Sequence, residues 1–533
     1  MRSKAVSPLF LALAACAVKA ERASPSRGGG DDAQSLPVYL TVQTTNGPIT
    51  GHPASNSPSV LEYLGIPYAK PPVGDLRFAP PERFTDGKPY EAAHFGYDCP
   101  LTASPPVDYP GLTPQAPRIL SYFASGAGTN KSEDCLTLNI WTKPTAASYK
   151  SRKPVIVFFY GGRFAIGNTN SPFYNGKYFA DAQDAIFVTV NYRINIFGFP
   201  GFPGKPQNAG LRDQRAAVEW LHENIHAFGG DPDRITIAGQ SSGGVSVDYW
   251  TYAYQEKPLI SGVIATSGNA FSFPVQPAGV PLANFKQVAR QLGCCSKRDV
   301  YECVKRADWR KLEAAAASVP PGKSSSPLRS VPPFYPIPDE EVVFSDYVNR
   351  TQEGRFARVP LFSGNNDNEA GYYKIPAYAK GVVPTQAQVD AFHLESFTCP
   401  VAHQARAREH HGVPAWTWRY LGDWDNTRLY PTSGAYHGTD LHMVLGASGD
   451  VSGIKPKAEQ QALTEVVQRA WYAFSNDPWH GLTEEMGWPR YAEGTESLVV
   501  YGENNSAKPV LVKPSEYDAP CSTIILGALS TQT

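Results

Sequence analysis

Three stretches of the chain are apolar and β-branched or aromatic almost throughout: Pro154–Tyr160 (PVIVFFY), Ala185–Asn191 (AIFVTVN) and Arg234–Ala238 (RITIA). A strand wetted on one face alternates, so runs with no polar side predict strands covered on both faces. Between the second and third, Leu211–His226 places Ala217, Trp220, Leu221 and Asn224 on adjacent turns, which predicts a helix. The strand pattern resumes at Ile260–Thr266, Val359–Gly364, Ala415–Leu421 and Ser497–Tyr501. A second helix is predicted where Leu463, Val466, Val467, Ala470 and Phe474 form one apolar stripe. Strands alternating with helices predict a parallel sheet with helices on both faces, so the fold class is α/β. Asn46-Gly47 in TVQTTNGPITG predicts a hairpin. Residues 318–337, rich in Pro and Ser, read as a surface excursion. With no internal repeat, one sheet can collect every strand, and residues 36–533 are expected to form a single domain with long insertions.

The N-terminus breaks this pattern. Residues 1–20 carry a basic start (Arg2, Lys4), an apolar run from Leu9 to Val18 and small residues at Val18 and Ala20. These are the marks of a secretory signal peptide, and the run is short of the ~20 apolar residues of a membrane span. Leu13-Ala14-Ala15-Cys16 also resembles a lipoprotein cleavage box. Residues 21–35 read as a flexible polar leader. Secretion allows disulfides among the cysteines that follow, and Asn130, Asn349 and Asn504 stand in glycosylation sequons. The chain has 533 residues with 48 basic and 49 acidic side chains and no dense basic stretch, which argues against nucleic acid as a partner. Hydrophobic residues at 42% against 18% charged supply a large core and exclude a disordered chain.

The candidate chemistry begins at FGGDPDRITIAGQSSGG, Phe228–Gly244. Gly239-Gln240-Ser241-Ser242-Gly243 follows the strand RITIA and precedes a helical stretch, the context of a nucleophile elbow. A serine hydroxyl needs a base within hydrogen-bond reach, and the base needs a carboxylate to orient it. Seven histidines follow Ser241. His410 and His411 end a charged helix closed by Gly412, and His393, His403 and His480 lack a Gly-flanked loop. His437, in GAYHGTD, stands between the strand-like AWTWRYL and the helix-like TDLHMVLG, where catalytic loops of parallel sheets collect.

Phe228–Gly244 resembles the active-site signature of type-B carboxylesterases, the group that includes cholinesterases and some fungal lipases. So do EDCLTLNI (Glu133–Ile140), YLGIPYAKPPVGDLRFAPPE (Tyr63–Glu82), NYRINIFGF (Asn191–Phe199) and NAGLRDQ (Asn208–Gln214). The resemblance implies an α/β-hydrolase fold and a secreted, fungal-type serine esterase that needs no metal or cofactor. Its substrate would be a small-molecule or lipid ester. The family acid, in the Ser–acid–His order of the fold, carries onto Glu369, with Asp367 as the alternative. The family oxyanion hole carries onto the N–H groups of Gly162, Arg163 and Ser242. Arg163 stands where the family usually has a third Gly, and its N–H serves provided the backbone does not need positive φ. Gln240 replaces the Glu of cholinesterases, and the Cys99–Cys135 segment has no Trp to hold a quaternary ammonium. Both absences favour neutral carboxylic esters over choline esters. A triglyceride lipase is the alternative; a non-catalytic adhesion homologue fits less well, since nucleophile, acid and base are all present.

The resemblance also implies a Cys99–Cys135 disulfide closing a Pro-rich loop that could act as a lid, and ion pairs Arg77–Glu133 and Arg193–Asp213. Ser246 could hydrogen-bond near the triad. Cys303 is expected to pair with Cys294 or Cys295, the remaining one of these with Cys399, leaving Cys521 free.

Overall fold

The Asn46-Gly47 turn joins β1 (Thr41–Thr44) to β2 (Gly47–Thr50) as an antiparallel hairpin, with Thr44 opposite Gly47. This is seen in a computed structural model that describes residues 40–125, 128–144 and 151–524. The expected signal peptide and leader lie outside those residues. Next in chain order come β3 (His52–Ala54), β4 (Ser57–Pro67) and β5 (Tyr90–Glu91), the last pairing with β2. Then follow β6 (Thr137–Thr142), β7 (Lys153–Phe159), β8 (Ile186–Val190), β9 (Gly230–Gln240) and β10 (Gly262–Thr266). The last four are β11 (Leu361–Asn366), β12 (Ala415–Tyr420), β13 (Leu498–Tyr501) and β14 (Val510–Val512).

Eleven of these strands form one sheet in the order β14-β13-β12-β11-β10-β9-β7-β8-β6-β4-β3. From β8 to β13 every pairing is parallel, and antiparallel strands close both edges. The apolar runs fall on the central strands, where β7 and β8 are buried at every residue. Helices Ala209–Asn224 and Ala458–Asn476 form where the 3.6-residue spacing predicts them. This is the expected α/β-hydrolase architecture. All described residues belong to one compact unit.

The strand order creates the site. After β7 the chain moves to β8 on one side; after β9, on the other side of β7, it moves away to β10. Loops leaving the carboxyl ends of β7 and β9 therefore diverge, and such a switch point opens a crevice there.

Two expectations are corrected. Residues 318–337 are a surface excursion only in part: 320–325 are exposed, but Leu328, Val331, Phe334 and Tyr335 are buried, so the Pro and Ser content conceals an apolar set that packs inward. The cysteine pairing also differs. Cys99–Cys135 forms as expected and Cys303 takes Cys294, one of its two expected partners, but Cys399 pairs with Cys521 and not with the remaining Cys295, which is free and exposed. After the helix Val280–Gln291 the chain turns Cys294 into the packed interior, at 1% exposure, and its neighbour outward. Cys399 opens the helix Cys399–His410, against which the C-terminal segment is tied.

The Cys399–Cys521 bridge spans 122 residues of sequence. Cys521→Ser is expected to lower the unfolding free energy by about 2–4 kcal/mol, because the unfolded chain regains the freedom the long loop removes. Cys295→Ser should change it by less than about 0.5 kcal/mol. Denaturant unfolding without reductant reads both.

Candidate active site

β9 ends at Gln240 and a helix runs from Ser242 to Ala253, so Ser241 alone makes the turn, at φ 58° and ψ −123°. A side chain in that region is strained and persists only where its surroundings hold it. They do so by close backbone approach. A Cβ on Gly239 would lie 2.2 Å from the Gly243 carbonyl oxygen, and one on Gly243 would lie 2.0 Å from that of Phe159. The Ser241 N–H donates to the Thr266 carbonyl of the neighbouring strand at 2.9 Å.

Beyond β7, the turn Gly162-Arg163-Phe164 has φ of 119°, 59° and 60°. The condition set for Arg163 therefore fails, since its backbone does lie in the left-handed region. A side chain there costs on the order of 1 kcal/mol. The turn nevertheless forms: the Phe164 N–H donates to Ser242 Oγ at 3.2 Å. Among the described residues, nothing accepts a hydrogen bond from the N–H of Gly162 or Arg163. Ser242 is the first residue of its helix, where N–H groups have no acceptor within the helix.

Glu369 follows β11 and His437 follows β12. The two loops are tied together: Asn368 N–H donates to the Ala435 carbonyl at 3.0 Å, and Asn366 Nδ2 donates to the Tyr436 carbonyl at 2.8 Å. His437 Nδ1 stands 2.6 Å from Glu369 Oε2, with the two residues 2% and 0% exposed. The other carboxylate oxygen accepts from Ser267 Oγ at 2.6 Å and from the Asn366 N–H at 2.7 Å. A buried carboxylate needs such donors. With the Nδ1 proton turned to Glu369, Nε2 presents a lone pair. The Gln240 side-chain amide, one residue before Ser241, lies 3.0 Å away as its donor. Rings of Phe123, Tyr373 and Phe397 surround the imidazole.

The alternative acid is placed elsewhere: Asp367 is half-exposed and paired with Arg419 at 3.1 Å. His393 accepts from Arg419 at 2.7 Å. Ser246 donates to the Ser242 carbonyl at 3.0 Å, and the expected pairs Arg77–Glu133 and Arg193–Asp213 are both present and buried. Ser267, Asn366 and the Gln240 contact were not foreseen; the available signal was that Ser267 and Asn366 sit at carboxyl ends of predicted strands.

A small cleft of about 40 Å³ reaches Ser241 and is walled by Ser242, Val245, Ser272, Phe273, Phe392 and Phe397. A larger one beside it, of about 420 Å³, is walled by the Cys99–Cys135 loop (Val107, Leu120), by Leu328 and by Tyr372. The arrangement combines an exposed-turn hydroxyl, an imidazole oriented by a buried carboxylate, and unengaged N–H groups. That set is suited to acyl transfer.

Fold and site together define an α/β-hydrolase. Residues 39–391 match the carboxylesterase family. The chain is 33% identical to "Secreted lipase 5" of Gibberella zeae, covering 92% of this chain and 94% of that one. It is 32% identical to "Chlorogenic acid esterase" of Aspergillus niger (87% and 90%) and 30% identical to "Para-nitrobenzyl esterase" of Bacillus subtilis (87% and 96%). The chain belongs to the carboxylesterase family and is an ester hydrolase.

Buried histidines give the fold a pH dependence. Burial, with Arg419 beside it, holds His393 down at about 3; burial, with Arg406, holds His403 at about 4; burial holds His442 at about 3. Each binds its proton more readily once unfolded, so stability is lost as pH falls below about 6.5. Asp440, pushed up to about 6 by burial, works in the opposite sense, losing stability as pH rises from about 4 to 6. At about 1.4 kcal/mol per group and pH unit, three histidines outweigh one aspartate. The unfolding free energy should therefore fall between pH 6.5 and 4, and His442→Gln should flatten that slope by about one group's share. Urea unfolding across the pH series measures it.

Proposed function

We propose that the protein is a secreted serine esterase in which Ser241 attacks the ester carbonyl and His437 takes its proton. Glu369 holds the imidazole in the tautomer whose Nε2 can accept that proton and stabilises the imidazolium that forms. The developing oxyanion is met by the N–H groups of Gly162, Arg163 and Ser242. The alcohol leaves with the proton from His437, and water releases the acid from the acyl-enzyme by the same route in reverse. No step calls for a metal or cofactor. The buried 2.6 Å contact between Glu369 and His437 carries this reading, because it fixes the base beside the strained serine turn. Before attack, His437 must exchange its Gln240 partner for the serine hydroxyl.

Secretion is supported by the signal-like N-terminus, the three disulfides, and the name of the relative "Secreted lipase 5". A second reading, a lipase, draws on the same relative and on one observation. The helix Ala116–Phe123, inside the Cys99–Cys135 loop, lays Phe123 against His437 with ring centres 6.4 Å apart, as a lid would.

Ser241→Ala should abolish hydrolysis of p-nitrophenyl butyrate, and Glu369→Gln should lower kcat by about 10²–10⁴ with little change in KM. Full activity in Ser241→Ala would remove the mechanism. The ratio of rates on soluble short-chain and emulsified long-chain esters separates the esterase from the lipase.

A further inference from the structure

The two clefts meet at Arg163, Ser330 and Tyr373. Their walls carry three cationic side chains, Arg163, Arg329 and Lys380, and no Asp or Glu. With 48 basic against 49 acidic residues in the chain, a general excess of positive charge does not account for this. The fully buried cations have carboxylate partners: Arg77 has Glu133, Arg193 has Asp213 and Arg408 has Asp248; Arg163 and Arg329 are partly buried and Lys380 is exposed. Among the described residues, none of the three cleft cations has one within 4 Å.

Their contacts are neutral. Arg329 donates to Ser396 Oγ at 2.6 Å and lies 6.0 Å from the centre of the Phe392 ring. Glu395 acts on Arg329 only from beyond salt-bridge reach. Lys380, exposed at the rim, donates to Ser330 Oγ at 3.3 Å. The Arg163 guanidinium makes no hydrogen bond or ion pair among the described residues. Burial and the Arg163 charge hold the Lys380 ammonium below its usual range. The walls around them are largely apolar, with Val107, Leu120 and Leu328. Like charges gathered with no carboxylate in contact, in a partly desolvated cleft, raise the energy of the empty site, and a bound anion relieves it.

Resting on the esterase reading above, we infer that the enzyme prefers esters carrying a carboxylate remote from the scissile bond. Lys380 and Arg163 would hold it in the larger cleft, with Arg329 adding positive potential. The same charges disfavour cationic, choline-type substrates.

Two ester pairs test this in a pH-stat at pH 7 with the full enzyme. Monoethyl adipate against diethyl adipate puts the carboxylate on the acyl side; 3-acetoxybenzoate against phenyl acetate puts it on the alcohol side. In at least one pair, kcat/KM for the anion should exceed that for its neutral partner by about tenfold. That ratio should fall about tenfold in Lys380→Glu and decline as salt is raised. Ready hydrolysis of the neutral esters with no preference in either pair, or a ratio unmoved in Lys380→Glu, would overturn the inference and leave the esterase reading intact. Wild-type protein inert toward all four esters would overturn both.

Discussion

The close approach of two backbone turns, one after β7 and one after β9, is the constraint on which the rest of the structure depends. Ser241 stands in a strained conformation amid backbone that approaches closely at four glycines, none of which could carry a side chain. A Cβ on Gly161 would lie 2.8 Å from the Ser241 Cβ, and one on Gly268 would lie 2.1 Å from the Ser241 carbonyl oxygen. Gly239 and Gly243 close the turn from within. This packing holds the hydroxyl at the crevice where the sheet's connections diverge, and it brings Ser242 Oγ onto the Phe164 N–H. The strain at Ser241 and Arg163 is sustained by eleven strands whose centre is dry on both faces.

On that frame the proposed acid and base, Glu369 and His437, are assembled by burial. A fully enclosed carboxylate is costly unless each oxygen finds donors. Glu369 finds Ser267 and Asn366 on one oxygen and His437 on the other. Asn366 also donates to Asp440 at 2.9 Å, so one side chain joins the loop of the acid to the loop of the base. The geometry of His437 follows from these bonds, and its other ring nitrogen lies 3.0 Å from the Gln240 amide.

How much of this could be read from sequence depends on how local each cause is. The buried strands and the serine turn were legible, because continuous apolar runs and glycine spacing act over a few residues. The strand β6, paired between β8 and β4, was harder to read as a strand. Asn139 interrupts its apolar run yet is buried, satisfied by the Gly65 N–H at 2.8 Å and by Thr189 at 3.0 Å. The choice between Cys294 and Cys295 turned on which of two adjacent side chains points inward. The inward packing of residues 328–337 was masked by the Pro and Ser content of the segment. The cleft cations come from three separate segments, and only the fold brings them to two adjoining clefts.

Covalent labelling tests the central claim most directly. The native enzyme, treated with a fluorophosphonate and digested, should show one stoichiometric adduct on the peptide containing Ser241. Glu369→Gln, with the base poorly oriented, should be labelled more slowly by about 10² or more. Folded native protein that takes up no label, or takes it up on another serine while ester hydrolysis continues, would contradict the account.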